Sequence, residues 1–236
     1  PEADIWRLRE VTRRTAVLAH QLGKTDNLNM PHMTNAALVP VFSWTGFYLG
    51  WEWKYGDSDW QTRFTREYIR AINLGRQTGN LPGVLEGHTH QIADAEKRAW
   101  VQRTRAGVAL THEIIVQMPD ALLAGARKAL FDIGYGTEAC RVYNYWERNP
   151  VATVAGLDSS WIVCDSDDQT LLVLCDWGGG GTPVVTLDGE RLGLPRDFQA
   201  VNWENDGQVF QAVNGRLTLP ELKTHDLMIL RIGGGK

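Results

Sequence analysis

The sequence predicts an α/β protein: a parallel, barrel-type α/β segment over residues 1–150, followed by a small antiparallel β-sandwich over residues 151–236. Up to about residue 140, short continuous apolar runs alternate with stretches of helical periodicity, the pattern of strands buried on both faces by crossover helices. From Val151 onward the helical periodicity stops, and short strand patterns recur with turn residues between them. In the first segment, polar residues also collect where strands would end. His32, Asn35, Trp44, Glu86, His88, His90, His112 and Glu113 all fall there, including four of the six histidines. In parallel α/β barrels the functional loops follow the C-terminal ends of the strands.

The elements follow in order. Ile5, Leu8, Ala16, Leu18, Ala19 and Leu22 recur at helical spacing, and Gly23 supplies a C-terminal stop, so residues 3–22 read as an amphipathic helix. Leu28–Met33 reads as a short strand. Ala37–Phe42 is a second apolar run, and Pro40 keeps it from being a central antiparallel strand. Trp60–Leu74 carries Phe64, Tyr68, Ile69 and Ile72 on one helical face and is closed by Gly75. Leu81–Gly87 reads as a buried strand running into His88-Thr89-His90. Ile92–Arg105 reads as a charged helix ended by Gly107, and Val108–Thr111 as a strand ending at His112-Glu113. Pro119–Ile133 begins with proline and is followed by Gly134, the asymmetry of helix termini.

In the second segment, Arg141–Trp146 alternates like a strand and Asn149-Pro150 breaks it. Trp161–Cys164 and Leu171–Cys175 flank a polar turn and read as a hairpin. Val184–Leu187 is a strand turned by Asp188-Gly189. Gln208–Val213, Asn214-Gly215 and Arg216–Leu219 form the clearest hairpin pattern, and Leu227–Ile232 is the last strand.

Composition excludes several classes of function. A net charge of −4 with no basic stripe gives no electrostatic footprint for nucleic acid. No run of about 18 apolar residues is present to span a membrane. Cys140, Cys164 and Cys175 are an odd set without a Cys-x-x-Cys pair, so neither a zinc site nor a disulfide framework is signalled. Cys164 and Cys175 lie on paired strands but not opposite each other, and buried thiols are expected. Gly178–Gly181 has no Lys-Ser/Thr after it and no helix opening, so it is no phosphate loop. Asp165, Asp167 and Asp168 lack the ligand spacing of a calcium loop. The sequence begins Pro-Glu-Ala-Asp and reads as a piece of something longer.

Ten tryptophans stand in this chain, and Trp44, Trp51 and Trp53 cluster around Glu52. Aromatic faces beside a carboxylate suit a sugar ring, whose C–H faces stack while its hydroxyls take hydrogen bonds. The same aromatics equally suit core packing. Glu52 can bind a hydroxyl or sit as a surface acid. His88 and His90, with His112 and Glu113, can be read as metal ligands or as hydrogen-bonded loop residues. The spacing favours the second, so neither a metal nor a cofactor is expected. Tyr143, Tyr145 and Trp146 fit either a pocket or a domain interface.

Several stretches together resemble one family: His32-Met33-Thr34-Asn35, Pro40–Trp44, Gly50 with Glu52, His112-Glu113, Tyr143–Trp146, and Leu171–Asp176 through Leu227–Ile232. They resemble the C-terminal half of the glycoside hydrolase family 123-like catalytic region, a (β/α)8-type barrel followed by a β-domain. The resemblance implies a partial barrel whose upstream half is the partner of this chain. It also implies a carbohydrate ligand, action on N-acetylhexosaminides, and a secreted or periplasmic location. The candidate sugar-binding residues, taken from strand-end position and residue chemistry together with this resemblance, are His32, Asn35, Trp44, Glu52, His88, His112, Glu113, Tyr143 and Trp146. That family's mechanism uses an adjacent Asp-Glu pair, with the Glu as general acid. No Asp-Glu dipeptide occurs in this sequence, so no catalytic residue is assigned. A non-catalytic carbohydrate-binding or structural module is the alternative.

Overall fold

In the computed structural model, which describes residues 2–24, 29–32, 41, 43–53, 59–72, 81–86 and 89–233, the chain divides into two units. One comprises Pro1–Ser58, Thr62–Arg98 and His112–Met118, and the other Asp59–Gln61, Ala99–Thr111 and Pro119–Lys236.

The first unit opens with helix α1, Glu2–Gln21. Gly23 takes a left-handed φ of 72°, and its N–H bonds the His20 carbonyl at 3.0 Å, closing the last turn. Arg13 and Arg14 both pair with Glu10 one turn away. Trp6, Val11 and Leu18 of α1, and Leu22 just after it, remain exposed, while Thr12 is buried. The helix forms as its periodicity predicts, but much of its apolar surface is not covered by the described residues.

Strand β1, Phe47–Trp53, pairs in parallel with β2, Leu81–Glu86, which pairs in parallel with β3, Ile115–Gln117. His32 adds a parallel bridge to Leu49, and the Leu49 N–H donates to the Pro31 carbonyl at 3.0 Å. Four chain segments therefore lie side by side in sequence order, the order of a barrel wall. Tyr48, Leu49, Val84 and Val116 are buried, as strands covered on both faces require. At Gly83 a Cβ would come within 2.9 Å of the Tyr48 carbonyl, so only glycine lets β1 and β2 approach this closely here. The predicted Leu28–Met33 strand is described only around His32, and most of Ala37–Phe42 lies outside the described residues.

The helix predicted over Trp60–Leu74 is two helices, α2 (Trp60–Arg63) and α3 (Arg66–Ile72). Thr65 interrupts it by accepting the Tyr68 N–H on its hydroxyl at 3.2 Å, which starts a new helix. Helix α4 runs over Ala95–Thr111, so Gly107 is interior and Val108–Thr111 is helical. The predicted strand there does not form.

In the second unit, helix α5, Ala121–Asp132, is capped by Asp120, whose carboxylate accepts the Leu123 N–H at 2.9 Å. Nine strands follow: β4 (Arg141–Asn144), β5 (Ala152–Ala155), β6 (Ser159–Asp165), β7 (Thr170–Asp176), β8 (Val184–Leu187), β9 (Gln199–Asn202), β10 (Val209–Gln211), β11 (Arg216–Thr218) and β12 (Leu227–Ile232). They form a six-stranded sheet, β10-β9-β12-β7-β6-β4, and a three-stranded sheet, β11-β8-β5. The pairings within both are antiparallel. Trp161, Leu172, Leu174, Val185, Leu217 and Leu230 belong to one core that draws on both sheets.

Two turn readings change. Asp188-Gly189 opens no hairpin: Asp188 caps the short helix α6, Gly189–Leu192, by accepting the Arg191 N–H at 3.1 Å. Asn214-Gly215 does form a tight turn, with φ of 53° and 73° and a bridge between Val213 and Arg216. Beyond that bridge the strands part: β10 joins β9 and β11 joins β8, because the core draws inward-facing residues from two different sheets.

Candidate functional site

Parallel strands share a direction, so the ends of β1, β2 and β3 at Trp53, Glu86 and Gln117 line one edge of the first unit's sheet. The register Trp53↔Glu86 and Leu85↔Gln117 brings them level. The Glu52 backbone lies one residue before the end of β1, opposite Leu85. His32 bridges Leu49 and is exposed. Asn35 and His88 lie outside the described residues. Of the expected sugar-binding set, His32 and Glu52 are the ones described on strands of this sheet.

Trp44, His112 and Glu113 sit elsewhere. Trp44 precedes β1, and His112-Glu113 lie between α4 and β3, so all three are at the N-terminal ends of strands. The expectation that His112-Glu113 close a strand is corrected, because the apolar run before them completes a helix. His112 is buried, and Glu113 takes a left-handed φ of 58°. Trp44 forms one wall of an open groove of about 300 Å³, with Ala16 and His20 from α1, Lys24 just after it, and Ser43, Thr45 and Gly46 beside it. The Arg9 guanidinium carbon lies 5.8 Å from the Trp44 ring centroid. The buried Trp44 Nε1 has no hydrogen-bond partner among the described residues. The groove offers imidazole, ammonium and hydroxyl groups to a small polar ligand, at the opposite end of the sheet from Glu52.

Tyr143 and Trp146 belong to the second unit. Tyr143 packs against the sandwich core, and the Arg191 guanidinium carbon lies 5.3 Å from its ring centroid. Trp146 meets Tyr145 edge-on at 5.0 Å, and Tyr145 also packs on the core. These are packing contacts within the second unit.

The second unit also holds a polar cluster that sequence reasoning missed. Asp176 is fully buried, and its Oδ2 accepts the His225 N–H at 2.9 Å and the Gly180 N–H at 3.1 Å. His225 Nδ1 pairs with the Asp59 carboxylate, and Trp100 stacks on the His225 ring at 6.4 Å. Gln61 Nε2 donates to Cys175 Sγ at 3.1 Å. Ser160 Oγ accepts the Trp177 Nε1–H at 2.7 Å and lies 2.9 Å from Thr111 Oγ1. Burial pushes the Cys175 thiol well above its ordinary range, so it stays protonated and inert. Residues 59, 176 and 225 are far apart in sequence, and no local motif announces them. The cluster fixes loops around the buried Asp176. Among the described residues no three His, Cys, Asp or Glu side chains are arranged to hold a metal ion.

No protein-family model matches the sequence, and no curated protein does. Solved structures do share its fold. The α-amylase of Geobacillus thermoleovorans, complexed with acarbose, is 10% identical, with a TM-score of 0.56 over 97% of this chain and 58% of that one. The maltogenic α-amylase AmyB of Thermotoga neapolitana is 10% identical, with a TM-score of 0.56 over 96% and 59% of the two chains. The Anoxybacillus α-amylase is 10% identical, with a TM-score of 0.55 over 98% and 57%. The class defined is therefore a mixed α/β fold with parallel strands and antiparallel sheets, as found in glycoside hydrolases. The chain spans between 57% and 59% of the length of these three structures.

Proposed function

We propose that this chain is the C-terminal part of a carbohydrate-active, glycoside hydrolase-type protein, with β1 to β3 contributing barrel strands and the sheets from β4 onward the β-sandwich. One observation carries the reading: sequential parallel strands followed by an antiparallel sandwich superimpose on three α-amylases over nearly the whole chain. The exposed apolar residues of α1 support it, since an upstream half of the same barrel would cover them. In this reading the sugar is met at the C-terminal ends of the strands. Of the candidate residues, His32 and Glu52 are described on this sheet, and the sequence expectation adds Asn35 and His88. The acarbose bound to one of the amylases supports a carbohydrate ligand of this class. The narrower substrate, an N-acetylhexosaminide, rests on the family 123 resemblance of the sequence stretches alone.

The test is an assay of the longest natural polypeptide containing these residues, with α-glucans and aryl N-acetylhexosaminides in parallel. Turnover of either glycoside supports the reading and fixes the substrate class. Glycan binding without hydrolysis would make the protein a carbohydrate-binding module. A correctly folded protein that shows neither turnover nor binding overturns the proposal.

A further inference from the structure

Cys140 immediately precedes β4, and Cys164 lies on β6 opposite Val142. Residues two apart on a strand share a face, so Cys140 is the diagonal same-face neighbour of Cys164. The Cys164 side chain lowers the pKa of the Cys140 thiol, which in the folded protein donates to the Arg141 carbonyl at 3.7 Å. The register here is pinned by Arg141, whose Nη2 donates to Asp165 Oδ2 at 2.7 Å across β4 and β6; from β7, the Thr170 hydroxyl holds the other Asp165 oxygen at 2.7 Å. Both cysteines are buried, and neither is in a disulfide. We propose that Cys140 and Cys164 are a disulfide-forming pair, which on oxidation fastens the edge strand β4 to β6.

Cys140 is the attacking sulfur. The Cys164 side chain beside it holds its thiol below the ordinary range against burial, helped by the Asp165 N–H and opposed by the Asp165 carboxylate. Its access comes from the fold: β4 is four residues long and forms the edge of its sheet, so it is the strand that opens at least cost. The oxidant is a low-molecular-weight disulfide such as glutathione disulfide. The Cys140 thiolate attacks one of its sulfurs, breaking that S–S bond and releasing one glutathione thiolate, which takes up the Cys140 proton. The Cys164 sulfur then attacks the mixed disulfide at Cys140, gives up its proton, and releases the second glutathione as thiol. Two electrons pass from the protein to the oxidant. Closing a diagonal pair requires the edge strand to shift toward β6. Cys175 takes no part, because it is fully buried on a central strand, β7.

The folded chain is incubated with glutathione disulfide, then denatured, titrated for thiols and digested. The expected result is a fall from three free thiols to one, a peptide joining Cys140 to Cys164, and Cys175 recovered as thiol. Cys164→Ser is expected to stop at a glutathione adduct on Cys140, and Cys140→Ser to remain unmodified while folded. Oxidation should raise the thermal midpoint by on the order of 5 °C, reversibly with dithiothreitol. Three thiols retained, a link to Cys175, or a lasting glutathione adduct on the native pair overturns the proposal. A crosslink that leaves the midpoint unchanged or lowers it overturns the fastening of β4.

Discussion

Gly107 of α4 lies against Cys175 of β7 so closely that a Cβ on residue 107 would overlap the cysteine Sγ and stand 3.2 Å from its Cβ. This contact explains why a glycine sits inside a helix, where it costs about 1 kcal/mol relative to alanine. It is a close-approach residue and not a stop. Gly107→Ala therefore sets a gain in helix propensity against an overpacked core. Overpacking costs about 1–3 kcal/mol, so the variant should lose on the order of 1 kcal/mol net. Urea unfolding measures it. A stabilised Gly107→Ala would show that helix and sheet can move apart freely. Pairing the change with Cys175→Ala should recover part of the loss, as expected of residues in contact.

Arg103 is the polar counterpart of that contact. Its Nη1 and Nη2 donate to Glu204 at 2.7 and 3.0 Å, its Nε pairs with Asp226, and Nη2 also reaches the Leu227 carbonyl at 2.8 Å. Burial pulls its pKa down, but the two carboxylates more than offset this and hold the guanidinium charged. Arg103→Ala leaves Asp226 and Glu204 partly buried without their cation. Its expected cost is about 2 kcal/mol, toward the lower end for a buried pair because the side chains keep some contact with water. Arg103→Lys should recover less than half, since a lysine cannot reproduce the forked geometry. Both are read by chemical denaturation, and an alanine variant of native stability would mean that these pairs are screened.

Much of the architecture is legible in residue patterns, and its exceptions have physical causes. Alternation and turn residues located β4, β6, β7, β8 and β12 because each depends on local periodicity. Val108–Thr111 misled because a short apolar run reads the same in a buried helix as in a buried strand. The arbiter, the fit of Gly107 against Cys175, is a contact between residues distant in sequence. The hairpin at Asn214-Gly215 misled in the opposite way: its turn chemistry is correct, but strand partners are chosen by the core. The site was less legible. Position at a strand end depended on which runs were strands, so His112-Glu113 moved to the other end of the sheet. The cluster of Asp59, Asp176 and His225 had no sequence signal at all.

Glu10 on α1 should respond to acid in a defined window. The hydrogen bond from Arg13, then that from Arg14, holds its carboxyl at about 2, well below the ordinary carboxylate range. A lowered folded value means that the ion pairs contribute above the unfolded value and are lost as the pH falls through about 2. An NMR titration of the Glu10 carboxyl checks the value. Arg13→Ala should move it upward, and added salt should move it the same way because the group is exposed to solvent. A Glu10 that titrates in the ordinary range with both arginines present contradicts the pairing.

Asp176 gives the sharpest test of the polar cluster. Its Oδ2 satisfies two backbone N–H groups, those of Gly180 and His225, and the glycine is held at a left-handed φ of 84°. Its Oδ1 is buried with no partner among the described residues. The two oxygens therefore have opposite effects: one organises two loops, while the other carries an uncompensated desolvation cost. Asp176→Ala removes both and strands two buried donors, each costing about 1–3 kcal/mol, so a loss of about 3 kcal/mol is expected. Asp176→Asn keeps an acceptor for the two N–H groups and removes the buried charge, so it should lie within about 1 kcal/mol of the native protein. Equilibrium unfolding of the two variants side by side decides the matter. If asparagine costs as much as alanine, the charge itself is required, and the partner it answers would be sought around His225 and Asp59.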